Sequence, residues 1–131
     1  MKDLLCDGFQ ETVSECLVRH RSILDVITKL QEATARVNRA VAKSVTSCGC
    51  IKINASRQRF PCEICMEQLK SHLGTHIEGE LCDQCRDVLE TEIGSMLFYL
   101  AALCNLLDLN LYDIILKEQE KSALLGVYKL C

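Results

Sequence analysis

Apolar residues recur along most of the chain at alternating steps of four and three, the spacing that keeps side chains on one face of an α-helix. The clearest run is Ile23, Ile27, Leu30, Thr34, Val37, Val41 and Val45. Ser22 stands just before it, with Asp25 in the first turn, a pattern that caps free backbone N–H groups. This stripe ends just before Cys48-Gly49-Cys50 and must bury against partner helices. An earlier helix is predicted from Phe9, Val13, Cys16 or Leu17, and His20, with Asp7 as its N-cap. A third runs through "CDQCRDVLETEIGSMLFYLAALCNLL", where Leu89, Ile93, Met96, Leu100, Leu103 and Leu107 form one stripe. Asn110 is placed to cap a fourth, "LYDIILKEQEKSALLGVYKL".

Between residues 51 and 81 the helical period fails. "IKINASRQRF" alternates loosely and reads as a short strand or an extended loop, and "CEICMEQLKSHLG" as a short helix closed by Gly74. No internal repeat or low-complexity segment interrupts the pattern. The expected fold is all-α: an antiparallel four-helix bundle in a single domain, residues 1–131, with a cysteine-rich insertion at 48–85 between helices two and three.

Composition agrees with that fold. One proline and six glycines in 131 residues leave little to break long helices. A chain of this length builds one domain with a core. The net charge of −3 gives no electrostatic footprint for nucleic acid. No apolar run reaches the roughly 18 residues of a membrane span. "MKDLLCDGFQ" has neither an apolar signal core nor a small-residue cleavage site, so the expected setting is cytoplasmic and reducing.

That setting decides how the ten cysteines are read. Disulfide scaffolds belong to small secreted, loop-rich domains. Close cysteine pairs in a reducing compartment point to metal ligands or redox groups. Structural zinc takes four Cys or His ligands in a tetrahedron, and C-x-C or C-x2-C lets one turn supply two of them. Cys48 and Cys50 end helix two, whereas Cys82 and Cys85 begin helix three. In antiparallel helices those pairs meet at one end, where the positive end of the macrodipole favours thiolates. The first candidate set is therefore Cys48, Cys50, Cys82 and Cys85, holding a structural zinc. A second set replaces Cys48 and Cys50 with Cys62 and Cys65, and all six around two metals is a third arrangement. An iron–sulfur cluster uses the same kind of thiolates, but nothing in the sequence points to electron transfer. His72 and His76, at i and i+4 across Gly74, read as surface histidines. Cys16 and Cys104 fall in apolar helix and read as small buried hydrophobes.

"EIGSMLFYLAALCNLLDLNLYDIILKEQEK", covering about the last third of the chain, resembles the all-α nucleoside triphosphate pyrophosphohydrolases of the MazG type. The resemblance implies a MazG-like bundle. Its relatives cleave nucleotides between the α and β phosphates, using Mg²⁺ held by an E-x-x-E pair on one helix and an E-x-x-D pair on the next. Glu92 matches the first acid of E-x-x-D, and Ser95 occupies the Asp position. On helix two either Glu32-x-x-Ala35 or Gln31-x-x-Thr34 stands for E-x-x-E. By helical angle Glu32 points almost opposite the apolar stripe. Lys117 and Lys121 match basic residues late in the fourth helix, where they would meet a nucleotide's phosphates. Mg²⁺ requires several hard oxygen ligands, and neither alignment of helix two supplies two carboxylates.

Three functions follow from these residues. The first is a zinc-stapled, catalytically degenerate MazG-like scaffold acting as a binding or regulatory dimer. The second is a divergent Mg²⁺-dependent pyrophosphohydrolase in which Asp87, Glu90 or Asp113 joins Glu92. The third is nucleic-acid binding through Lys52, Arg57, Arg59 and Phe60, which the neighbouring Glu63, Glu67, Glu78 and Glu80 oppose. Apolar residues late in the chain, among them Ile114, Leu124, Leu125 and Val127, exceed what one thin bundle covers. A homodimer or higher homo-oligomer is expected.

Overall fold

The computed structural model describes residues 4–17, 21–59, 68 and 73–125. Four α-helices account for most of them: α1 (Leu4–Cys16), α2 (Ile23–Lys43), α3 (Asp83–Leu106) and α4 (Leu111–Leu125). Two three-residue strands, β1 (Ile51–Ile53) and β2 (Ile77–Gly79), pair antiparallel with Ile51 opposite Gly79 and Ile53 opposite Ile77. The ribbon modifies the all-α expectation. It gives the stems of the insertion a ladder of backbone hydrogen bonds, extended by Asn54 N–H donating to the His76 carbonyl at 2.8 Å.

Local chemistry sets the helix ends. Ser22 caps α2, its hydroxyl accepting from Leu24 N–H at 3.3 Å. Asn110 caps α4 by accepting from Asp113 N–H at 2.9 Å. Asp7 is not an N-cap. It lies inside α1, where its carboxylate accepts from the Asn110 amide at 2.9 Å.

Helices α2 and α3 form the main pair, running antiparallel. The start of α2 (Val26) shares a core cluster with the end of α3 (Ala101, Ala102), while Ser44 and Cys48 adjoin Gln84 and Cys85 at the other end. Helix α1 packs across the end of α3, and Val13, Phe9 and Leu17 join the cluster together with Leu111 of α4. The chain turns by 108° between α3 and α4, and α4 packs chiefly on α1. Gln10, nearly buried, ties this corner together. Its amide nitrogen donates to the Asn105 side chain at 2.9 Å and the Leu109 carbonyl at 3.0 Å, and its oxygen accepts from Leu111 N–H at 2.7 Å.

The face of α2 that meets α3 differs from the one its hydropathy suggests. Buried positions are Val26, Ala33 and Ser44, with Ala40 half-buried on the same side. At about 100° per residue this flank is turned by roughly 75° from the apolar stripe. Small side chains line that flank at Ala33, Ala40 and Ser44, while Ile23, Ile27 and Val41 remain exposed. No single helix among the described residues is long and apolar enough to cross a membrane.

Candidate metal centre

After Lys43 the backbone widens into a π-helical turn, Ser44–Cys48, closed by Gly49 N–H donating to the Ser44 carbonyl at 2.9 Å. Gly49 adopts the left-handed conformation (φ 78°), which costs glycine little and any residue with a Cβ more. The reversal returns Cys50 to the same carbonyl, its thiol 3.8 Å from Ser44 O. Ser44 is buried, and its hydroxyl donates to Ala40 O at 2.9 Å. A C-x-C pair thus projects from the end of α2 on a rigid turn. The second pair comes from the start of α3. Cys82 is the N-cap, and its sulfur accepts from Cys85 N–H at 3.4 Å.

Cys48, Cys50, Cys82 and Cys85 converge, with all four sulfurs within 4.8 Å of one another. Cys48 Sγ and Cys82 Sγ are 3.7 Å apart. A tetrahedron with Zn–S bonds of about 2.3 Å has sulfur–sulfur edges of about 3.8 Å, so the donor set fits a single zinc-sized ion with little adjustment. Charge distribution within the quartet is uneven. The Cys85 N–H, then the Cys85 and Cys48 thiols, bring Cys82 down to about 7. Ser44 pulls the Cys85 thiol down, but Cys82, desolvation and the other two sulfurs outweigh it and push Cys85 up to about 12. Hydrogen bonding to Cys82 raises Cys48. One thiolate is therefore ready near neutral pH, and the others deprotonate when a cation takes the place of their protons.

Among the described residues this quartet is the one group of three or more His, Cys, Asp and Glu side chains placed to hold a metal ion. Cys62, Cys65 and His72 lie outside the described residues, as do Phe60, Glu63, Glu67 and Val127. His76 stands at the base of β2, away from the sulfur donors in its bonding. Its Nδ1 accepts from Ser56 N–H at 3.3 Å, and its Nε2 lies 2.8 Å from the Gln58 amide. Arg57 and Arg59 line a broad surface depression beside it, of about 730 Å³, together with Glu78. Cys104 is buried, and desolvation raises its thiol as expected of a small hydrophobe. Cys16 is exposed instead, because Leu17 takes the core position.

The MazG-type residues fall elsewhere. Glu92 is half-buried on α3, Asp87 and Glu90 are exposed, and Lys117 and Lys121 are exposed on α4. Between α2 and α3, Glu32, Lys29, Arg36, Ser95 and Tyr99 surround a small cavity of about 120 Å³. Glu32 accepts from Lys29 Nζ at 3.4 Å and from Arg36 at 2.8 Å, and its carboxyl is held below the usual range by Lys29 first and then Arg36. The rotation of α2 explains why Glu32 reaches this cleft although it lies opposite the apolar stripe. Gln31 is exposed on the other side of the helix. The partners of Glu32 are organic cations, and Lys29, Arg36 and Tyr99 are cleft residues that the acid-pair pattern alone did not single out.

Compared with family models, curated proteins and solved structures, the chain matches none.

Proposed function

We propose that the chain is a MazG-like helical scaffold with a structural zinc at Cys48, Cys50, Cys82 and Cys85. In this reading it has given up nucleotide hydrolysis and acts in the cytoplasm as a binding or regulatory dimer. The convergence of four sulfurs within 4.8 Å at the joined ends of α2 and α3 is the observation that carries it. Zinc suits such a site because it accepts four thiolates with no demand for an open coordination position. A polynuclear iron–sulfur cluster interposes its own iron and sulfide between the cysteines and needs them spread wider. Bound metal would join the ends of α2 and α3 and fix the ribbon that leaves them, so its binding energy would become folding energy.

Loss of hydrolysis rests on the cleft. Where the MazG type gathers carboxylates, this chain offers Glu92 with Ser95 in the Asp position, and a Glu32 already engaged by Lys29 and Arg36. Mg²⁺ gives up its water shell reluctantly and needs clustered negative oxygen. The ligand this reading carries is a nucleotide held without cleavage, with Lys117 and Lys121 assigned to its phosphates through the family resemblance.

The test pairs metal content with turnover. Protein purified without added metal should contain one zinc per chain. Cys82→Ser should lose it, and the double variant Cys62→Ser/Cys65→Ser should keep it. Incubation with nucleoside triphosphates and Mg²⁺ or Mn²⁺ should release no pyrophosphate. Release that vanishes in Glu92→Ala would establish the divergent enzyme instead, and tight salt-dependent retention of RNA or DNA would establish the loop as a nucleic-acid site.

A further inference from the structure

Two sulfurs of the quartet touch across the helix pair. Cys48 Sγ and Cys82 Sγ are 3.7 Å apart, at van der Waals contact, although 34 residues separate them along the chain. A disulfide needs about 2.05 Å, so the two side chains share a movement of about 1.7 Å to form one. The Cys50 thiol is directed instead at the Ser44 carbonyl, 3.8 Å away.

Exposure is uneven among the four. Cys48 is exposed, whereas Cys50, Cys82 and Cys85 are half-buried. A cavity of about 400 Å³ between the ends of α2 and α3 also borders Cys48, with Ser47, Gln84 and Cys85 on its wall. A molecule the size of hydrogen peroxide therefore has room to reach the Cys48 sulfur from outside, with Cys82 in contact behind it. A sulfenic acid formed at such a position condenses with the adjacent thiol to a disulfide.

We propose that Cys48 and Cys82 are a redox modification site: a peroxide joins them in a reversible disulfide, and the link expels the zinc. The inference rests on the zinc reading above and adds what releases the ion. Cys48, the ligand nearest solvent, is free to react whenever its bond to the metal opens. Its thiolate attacks one peroxide oxygen, the O–O bond breaks, hydroxide departs, and Cys48 becomes a sulfenic acid. The Cys82 thiolate then attacks the Cys48 sulfur. The S–S bond forms, the S–O bond breaks, and a second hydroxide departs. Two protons from solvent turn both hydroxides into water, and the two electrons lost by the sulfurs have passed to the peroxide. Cys50 and Cys85 remain, two ligands where structural zinc takes four, and the ion passes to solvent.

The exchange acts on one element of the fold. The disulfide still joins the end of α2 to the start of α3, so the bundle keeps a staple. Cys50 loses its tie, and β1, which begins at the next residue and pairs with β2, loses its anchor with it. The ribbon is the part of the chain whose order then follows the redox state.

The test starts from the full chain purified with its metal. Zinc is counted first. Hydrogen peroxide is then added beside a chromophoric chelator, and the product is digested without reduction for peptide mass analysis. One zinc should be released per chain, with one Cys48–Cys82 link. Dithiothreitol with added zinc should restore the starting metal content. The Cys62→Ser/Cys65→Ser variant should respond as the wild type does, because its quartet is complete. Ribbon amides, Asn54 N–H among them, should exchange about 10-fold faster or more after oxidation, while helical circular dichroism is kept. A chain that holds no zinc at the outset overturns the metal reading itself. Zinc retained through excess peroxide overturns the modification site alone, as does a link within Cys48–Cys50 or within Cys82–Cys85. Metal content that dithiothreitol and zinc do not restore overturns reversibility, and unchanged ribbon exchange overturns the role given to the ribbon.

Discussion

A methyl group placed on Gly79 would sit 2.6 Å from the carbonyl oxygen of Cys50. The two residues lie where the insertion closes: Gly79 pairs with Ile51, the residue after Cys50, and has φ 87°. Glycine at this position serves the sulfur quartet indirectly. It lets β2 come close enough to hold β1, and with it Cys50, beside the ends of α2 and α3.

Gly79→Ala should therefore weaken the metal site as well as the fold. The added Cβ meets backbone that cannot swing aside, in a conformation that disfavours every residue except glycine. A stability loss of about 1–3 kcal/mol is expected in urea denaturation. Zinc competition with a chromophoric chelator should show a lower affinity. An unchanged affinity would mean that the ribbon does not position Cys50.

Cys82 should be the first thiol of the metal-free quartet to react. Its lowered position, about 7 against an ordinary 9.0, means that thiolate accumulates as pH rises through 7. Cys85, pushed up to about 12, should lag, and Cys48 is displaced in the same direction. Alkylation by iodoacetamide followed by peptide mass analysis should give a rate profile for Cys82 centred near pH 7. Bound zinc should protect all four residues. Zinc affinity should fall on acidification from well above 7, because Cys48 and Cys85 must release protons to bind, and more steeply below 7, where Cys82 is protonated as well. Equal rates at the four cysteines would contradict this account.

Gln10→Leu should destabilise the chain by about 2–3 kcal/mol, although the new side chain is apolar and of similar size. It strands the buried Leu111 N–H, and it removes the donor to the part-buried Asn105 side-chain oxygen and Leu109 carbonyl. Chemical denaturation should report the loss while the zinc content stays at its wild-type value, since the quartet lies at the other end of α3.

Legibility in the sequence differed between kinds of signal. Cap residues were readable: Ser22 and Asn110 start helices because their side-chain oxygens accept backbone N–H groups locally. The cysteine pairs were readable for a similar reason, since two antiparallel helix ends must meet. The packed flank of α2 was hidden, because Ala33, Ala40 and Ser44 carry almost no hydropathy. Ile23, Ile27 and Val41 dominate the periodic signal, which reports every apolar position without saying which partner covers it. Glu32 was misplaced by the same error, because its angle was measured from the stripe and not from the contact with α3. Asp7 resembled a helix start, yet its oxygen serves Asn110, a partner 103 residues away that no local pattern exposes.

The widened turn at Ser44–Cys48 has a consequence for how this chain can vary. A π turn absorbs one more residue than an α turn before it closes, so Gly49 N–H reaches back five residues to the Ser44 carbonyl. Removing one residue there would restore the ordinary four-residue closure on the same carbonyl and leave the sulfur of Cys48 within about 30° of its present direction. Removing a second, from a turn then already α-helical, would swing it by about 100° around the axis, away from Cys82. The stretch therefore tolerates exchange of the exposed Thr46 or Ser47 and the loss of one residue, but not of two.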